Sequence, residues 1–272
     1  MMGHENQPSV EYRTLNDAYS KGILSKDLPT EFVRLRALET WLDPMSKRLL
    51  EELPIQPGWH CLEMGAGAGS IAYWMAERCP SGRVIAADID PRFLHAHRAT
   101  NLQIAAVDLV RDDFPKGSFD LIHARLVLTH LPQREEILSR AVEWLKPGGS
   151  IVLEEYYFLP LEDIDSEEAK SFYGTFLQMF VSQGANPRWG REIPSQLASL
   201  GIGDLRVAVN PLVTGIGSAS ADVWWISLQQ CCLVAEATGL LTPTQIAAHQ
   251  KFLKAIPVDI PSVIVSVSGR RL

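Results

Sequence analysis

Between Pro57 and about Tyr157 the chain alternates short apolar runs with stretches of helical periodicity. The runs are Trp59 to Met64, Arg83 to Asp88, Leu102 to Asp108, Phe119 to Ala124 and Ser150 to Glu155. Each has the length of a strand buried on both faces, and the alternation with helices is that of βαβ units closing a parallel sheet. Asp90-Pro91, a capping acid followed by proline, predicts a helix after the second run. Ile137, Leu138, Ala141, Val142 and Leu145, spaced to face a sheet, predict another from near Pro132, and Lys146-Pro147-Gly148-Gly149 ends it. The pattern divides the chain into residues 1–52, with a helix opening at Thr30 and Leu35, Leu38 and Leu42 on one face; a core at 53–157; and residues 158–272. The last part carries two helical insertions. One, at about 158–192, places Phe172, Phe176, Met179 and Phe180 at helical spacing after an acidic stretch. The other, at about 211–261, has its second helix opening at Thr242-Pro243 with Gln245 completing a capping box. Runs at Leu205 to Val209 and Val263 to Val267 supply two further strands.

Composition narrows the classes of function. Of 272 residues, 46% are hydrophobic and 21% charged, as in a globular protein that buries an ordinary core. A net charge of −7 without a Lys/Arg cluster argues against a nucleic-acid partner, which needs several basic contacts. The apolar runs fall short of the roughly 20 residues that span a bilayer, and the opening MMGHENQPSVEY lacks a basic and then apolar leader pattern. The expectation is a cytoplasmic protein with no membrane partner. Cys61, Cys79, Cys231 and Cys232 show neither CxxC spacing nor accompanying paired histidines, so reduced, buried thiols and no metal are expected.

Candidate chemistry centres on CLEMGAGAGS at 61–70, where a strand passes through Gly65, Gly67 and Gly69 into a helix. Glycines there admit a ligand to the backbone, a feature shared with NAD and FAD sites. Glu63, just before them, would repel a pyrophosphate and suit a ligand bearing an ammonium and a sulfonium, which favours S-adenosylmethionine (SAM) over a dinucleotide. Asp88 ends the second run at the distance where an acid takes ribose hydroxyls, and its carboxylate can accept from both. Asp108 ends the third run, where it would accept from an adenine amino group.

Together with FDLIHARLVLTHLP at 119–132 and LKPGGSIVLEE at 145–155, these features resemble class I SAM-dependent methyltransferases over residues 57 to 157. FVRLRALETWLDP at 32–44 and the terminal SGRRL resemble a bacterial small-molecule branch of that family. The resemblance implies a Rossmann-like α/β fold: a seven-stranded, mostly parallel sheet whose last strand, Val263 to Val267, is antiparallel and inserted beside the fifth, with helical lid insertions. It further implies Glu63, Gly65, Ala66 and Gly67 along the methionine part of SAM, Asp88 at the ribose, Ile89 flanking the adenosine, and Asp108 with Leu109 at the adenine. His123, Ala124 and Arg125 would then lie beneath the methionine. S-adenosylhomocysteine would be the product. The acceptor is expected to be a small, largely apolar molecule, methylated on oxygen, nitrogen or carbon in a setting such as secondary metabolism, in a pocket lined by Phe172, Tyr173, Phe176, Phe180, Trp224 and Trp225. If a base is used, His130 and Glu155 are the candidates. A homodimer stays open. Two other readings remain: a methyltransferase-fold cyclase or binding protein, and an NAD(P)-dependent oxidoreductase.

Overall fold

A computed structural model describes residues 22, 24–215, 217–218, 220–237, 239 and 241–272; residues 1–21 and 23 of the expected first segment lie outside them. Seven strands form one sheet: β1 (His60–Met64), β2 (Arg83–Asp88), β3 (Leu102–Ala106), β4 (Phe119–Arg125), β5 (Leu145–Phe158), β6 (Ile202–Thr214) and β7 (Asp259–Arg271). Their order is β3-β2-β1-β4-β5-β7-β6, with β7 antiparallel to both neighbours and the first five strands parallel. This is the Rossmann-like arrangement expected, with the last strand inserted beside β5. The chain reverses between β1 and β4, which places a crevice at the carboxyl ends of the central strands.

Alternation along the strands separates two cores. Leu62, Met64, Ile122, Ala124, Ile151 and Leu153 face the helices α3 (Arg134–Trp144) and α5 (Ile193–Ser199). Their neighbours in sequence, Cys61, Leu121 and Val152, face α2 (Ser70–Arg78) and the end of α1 (Glu31–Glu51) at Leu50. A third cluster lies above the sheet, where α4 (Glu167–Ser182), α6 (Ala221–Ala237) and α7 (Pro243–Leu253) bring Phe158, Phe172, Phe176, Trp224 and Leu253 together. The acidic stretch before α4 has a local cause: Ser166 caps Ala169, and Glu167 and Glu168 occupy the positive first turn. α7 opens on the expected capping box. α1 joins the layers, packing Leu38 and Leu42 against Leu212, Val223 and Ile264.

One local expectation differs, and the helix expected to open at Thr30 does so without a cap. Asp90-Pro91 does not start an α-helix; the segment makes turns and a short 3-10 helix at Ala96–Arg98. Asp90 accepts from the Arg92 amide, a local turn, and the stretch buries Pro91 and Leu94, too few apolar positions to dock a helix. Thr30 precedes α1 without a side-chain cap; its hydroxyl accepts instead from Gln230 Nε2 of α6.

Candidate active site

β1 ends at Met64, and three glycines with positive φ, Gly65 (65°), Gly67 (60°) and Gly69 (98°), carry the chain into α2. A side chain at Gly65 would strike Val127 at 2.4 Å, so the turn is closed on one side by the loop after β4. Gly67 remains open, with only Leu35 at 3.6 Å from a hypothetical Cβ, and this is the side on which a ligand reaches backbone. A cleft of about 420 Å³ begins here. That size lies in the range of about 300–1,000 Å³ typical of small-molecule pockets.

Glu63, Gly65, Ala66, Gly67, Asp88, Ile89, Asp108, Leu109 and Arg125 all border this cleft. Asp88 is tightly held: its Oδ2 accepts from the Gly67 amide (2.8 Å), and its Oδ1 accepts from the Asp90 amide (2.9 Å) and from Lys26 Nζ (2.9 Å). The Lys26 side chain is 1% exposed and also donates to the Asp90 carbonyl. Arg92 pairs with Asp27, and Phe93 lies 5.0 Å from Phe32, so the chain entering α1 is strapped across this end of the cleft. Nothing in the sequence pattern singled out Lys26. Asp108 keeps one oxygen on the Val110 amide and has Arg111 3.6 Å away.

His123 and Ala124 are not on the cleft; both are fully buried. Successive residues of a strand point to opposite faces, so 123, 124 and 125 cannot all face one ligand. Ala124 enters the α3-side core. His123 lies behind Glu63, with Nδ1 2.7 Å from Glu63 Oε2 and Nε2 3.1 Å from Glu154 Oε2. The two carboxylates push its pKa up to about 9 against the opposing effect of burial. Arg125 borders the cleft and is anchored by α1, donating to Ser46 Oγ (2.8 Å) and Asp43 Oδ1 (3.0 Å). Asp43 also accepts from Ser70 Oγ, and Glu39 from the Ser70 amide, so α1 supports the glycine turn from outside.

Glu155 also departs from expectation. It is fully buried, and its Oε1 accepts from the amides of Val127 (3.2 Å) and Leu128 (2.8 Å) rather than facing the cleft. Those bonds fix a strained turn: Leu126 has φ 57°, a conformation that costs a non-glycine residue about 1–3 kcal/mol unless its surroundings impose it. Burial raises the Glu155 pKa to about 8. The folded protein therefore keeps a proton that the unfolded chain releases near the ordinary carboxyl value, and stability contributed by this group is lost as pH rises through about 8. Glu155→Gln keeps the accepting oxygen and removes the titration. Its melting temperature should fall less than wild type between pH 6 and pH 9; parallel curves would show that Glu155 is already ionised.

His130 borders the cleft, its ring 5.3 Å from Phe180. Burial and the charges of Arg34 and Arg134 lower its pKa to about 3, so the imidazole is neutral. Of the aromatic residues expected to line a pocket, Phe176, Phe180 and Trp224 do so. Phe172 packs on Phe252 and His249, Tyr173 is 1% exposed, and Trp225 packs against the lid cluster, so these three belong to the lid's own core. Tyr156 and Phe158, beyond the expected end of β5, complete the wall. Arg34, also on the wall, makes a bidentate pair with Glu31 at 2.8 and 2.7 Å.

Among the described residues no cluster of three His, Cys, Asp or Glu side chains is arranged to hold a metal, and no helix is long and apolar enough to cross a membrane. Residues 62–151 match the family model of a methyltransferase domain. The chain is 31% identical to Methyltransferase str3 of Strobilurus tenacellus over 160 residues, covering 55% of this chain and 57% of that protein. It is 26% identical to Methyltransferase str2 of the same organism over 199 residues, covering 67% and 69%. The chain thus spans little more than half the length of the first of these relatives. Phosphoethanolamine N-methyltransferase 2 of Haemonchus contortus, solved with phosphomonomethylethanolamine and S-adenosylhomocysteine, superposes with a TM-score of 0.60 over 92% of this chain and 59% of its own. At 16% identity this likeness shows the fold alone.

Proposed function

We propose that this chain, whose residues 62–151 match a methyltransferase domain, is a class I SAM-dependent methyltransferase that transfers a methyl group to an oxygen, nitrogen or carbon of a small, largely apolar molecule. The observation that carries this reading is one continuous cleft, running from the acid at the end of β2, past the glycine turn, to the aromatic wall of α4 and α6. SAM supplies the methyl group on a positively charged sulfur. In our reading Asp88 takes the ribose hydroxyls, and Asp108, with Leu109 and Ile89, the adenine. Glu63 faces the amino-acid end, with Gly65, Ala66 and Gly67 giving the close backbone approach and Arg125 beside them. The donor set fits such a ligand: Glu63, Asp88 and Asp108, with Glu39, border the cleft, and open backbone stands at Gly67. Residues 53–157 then form the cofactor-binding core, while α1 and the insertions holding α4, α6 and α7 enclose the acceptor. Phe176, Phe180 and Trp224 exclude water and align the acceptor with the methyl group, and that alignment supplies most of the acceleration. This wall suits an apolar acceptor better than a peptide or nucleic acid, which would need an open groove.

Binding to the native state alone raises its stability, by about 2.7 kcal/mol at a ligand concentration of 100 Kd. SAM and S-adenosylhomocysteine should each raise the melting temperature by several degrees, and NAD or NADP should leave it unchanged. Stabilisation by NAD alone would replace this reading with an oxidoreductase.

A further inference from the structure

Glu63, His123 and Glu154 form a row on one face of three adjacent strands, the face toward α1. Glu63 pairs with His123 in the β1–β4 register, and Glu154 stands one alternation beyond Val152, the β5 partner of His123. The imidazole bonds a carboxylate through each ring nitrogen, at 2.7 and 3.1 Å, and is fully buried. Glu154 accepts a further bond from Ser266 Oγ of β7 (3.0 Å). Arg125, held by Asp43, is the other charged group acting on the row. A buried ion pair of this kind is a poor device for stability, since desolvation cancels much of its attraction. Of the row, Glu63 alone borders the cleft.

We propose that His123 is a positioning residue for the cofactor: it keeps the Glu63 carboxylate ionised and fixed, so that Glu63 can hold the amino group of the cofactor's amino-acid end. Burial is the largest influence on Glu63 and holds its pKa above the ordinary carboxyl value, and the nearby imidazolium, 2.7 Å away, is the main force opposing that shift. Glu154 on the far nitrogen orients the ring and balances its charge, so Glu63 need not surrender its own. With an uncharged side chain at 123 that opposition is lost, and the hold of Glu63 on an ammonium would weaken toward that of a neutral acceptor. The inference rests on the reading of the cleft as a SAM site.

The test is calorimetric titration of wild type, His123→Asn, Glu63→Gln and the double variant at pH 7. The probes are S-adenosylhomocysteine and 5′-methylthioadenosine, which keeps the adenosine and lacks the amino acid. His123→Asn should weaken S-adenosylhomocysteine binding about tenfold or more, the scale of a lost charge-assisted bond, and leave methylthioadenosine within about twofold. Glu63→Gln should show the same selectivity, and the double variant should be no weaker than Glu63→Gln. Equal weakening of both ligands, or additive losses in the double variant, would overturn the role of His123 and leave the site intact. Failure of both ligands to bind wild type would overturn the SAM site itself, and this inference with it. A second measurement needs no variant: in 15N-histidine-labelled wild type, one of the seven histidines should remain a cationic imidazolium at pH 8 with both nitrogens protonated. Seven neutral imidazoles at that pH would also overturn the proposal.

Discussion

Asp88→Ala is expected to weaken S-adenosylhomocysteine binding by about two powers of ten or more. Two ribose hydroxyls lose a charged acceptor, each bond contributing about 1.5–3 kcal/mol, and 1.4 kcal/mol is tenfold in affinity. The variant has a second consequence, because it removes the counter-charge of a lysine side chain that is 1% exposed. Breaking a buried pair in this way typically costs about 3–5 kcal/mol. A fall in melting temperature should therefore accompany the loss of binding, and Lys26→Ala separates the two effects. A carboxylate offers about four lone-pair sites. Lys26, Gly67 and Asp90 use three of them, so Lys26 has to yield when two hydroxyls arrive. Lys26→Ala alone should bind S-adenosylhomocysteine at least as tightly as wild type. In the double variant the melting temperature should recover and the affinity should not. Recovered affinity there would mean that Asp88 serves only to neutralise Lys26, and the ribose assignment would be dropped.

Much of the fold was legible because the central strands are buried on both faces and their apolar runs stand out against the helices between them. β2 matches its expected run, and β1, β3 and β4 match theirs to within two residues. The outer strands were underread. β5, β6 and β7 extend to 13 or 14 residues by antiparallel pairing, which apolar runs alone do not reveal, since Asp204, Arg206, Asn210 and Pro211 interrupt the apolar positions of β6. The residues at the ends of β1 to β3 that we propose for the cofactor could be singled out because such chemistry requires particular types at strand ends: glycine for close approach, acids for hydroxyls and amines. The residues of β4 and β5 were harder. Period-two alternation implies that His123 and Ala124 cannot share a side, but not which of them faces a ligand. Glu154 and Glu155 are both acidic residues, both buried and both turned away from the cleft. Their partners, His123 and the amides of the Leu126 turn, come from across the sheet. Lys26 has no local signature at all; its meaning depends on the chain before α1 lying across the end of β2.

Catalysis, finally, should depend on His130 and not on Glu155. The two were candidates for the same task, yet only His130 reaches the cleft; Glu155 holds the turn that leads to it. With its pKa lowered to about 3 by burial and two arginines, His130 is a neutral acceptor with little appetite for a standing proton. It cannot prepare a protonated amine by taking its proton beforehand. It is suited to an oxygen acceptor, because a hydroxyl becomes strongly acidic as the methyl group bonds to its oxygen, and a weak base then suffices. Base catalysis contributes about 10² to 10⁴-fold, and a base this weak belongs at the low end. With a hydroxylated acceptor, His130→Ala should reduce kcat about 10²-fold and leave S-adenosylhomocysteine affinity unchanged, whereas Glu155→Gln should retain most of the turnover. The wild-type rate should be level from pH 8 down to about pH 5, since an imidazole with pKa about 3 stays neutral throughout. An acid limb near pH 6.5 that disappears in His130→Ala would contradict the buried, neutral histidine. Near-normal kcat in His130→Ala would leave alignment and exclusion of water by the aromatic wall as the source of catalysis.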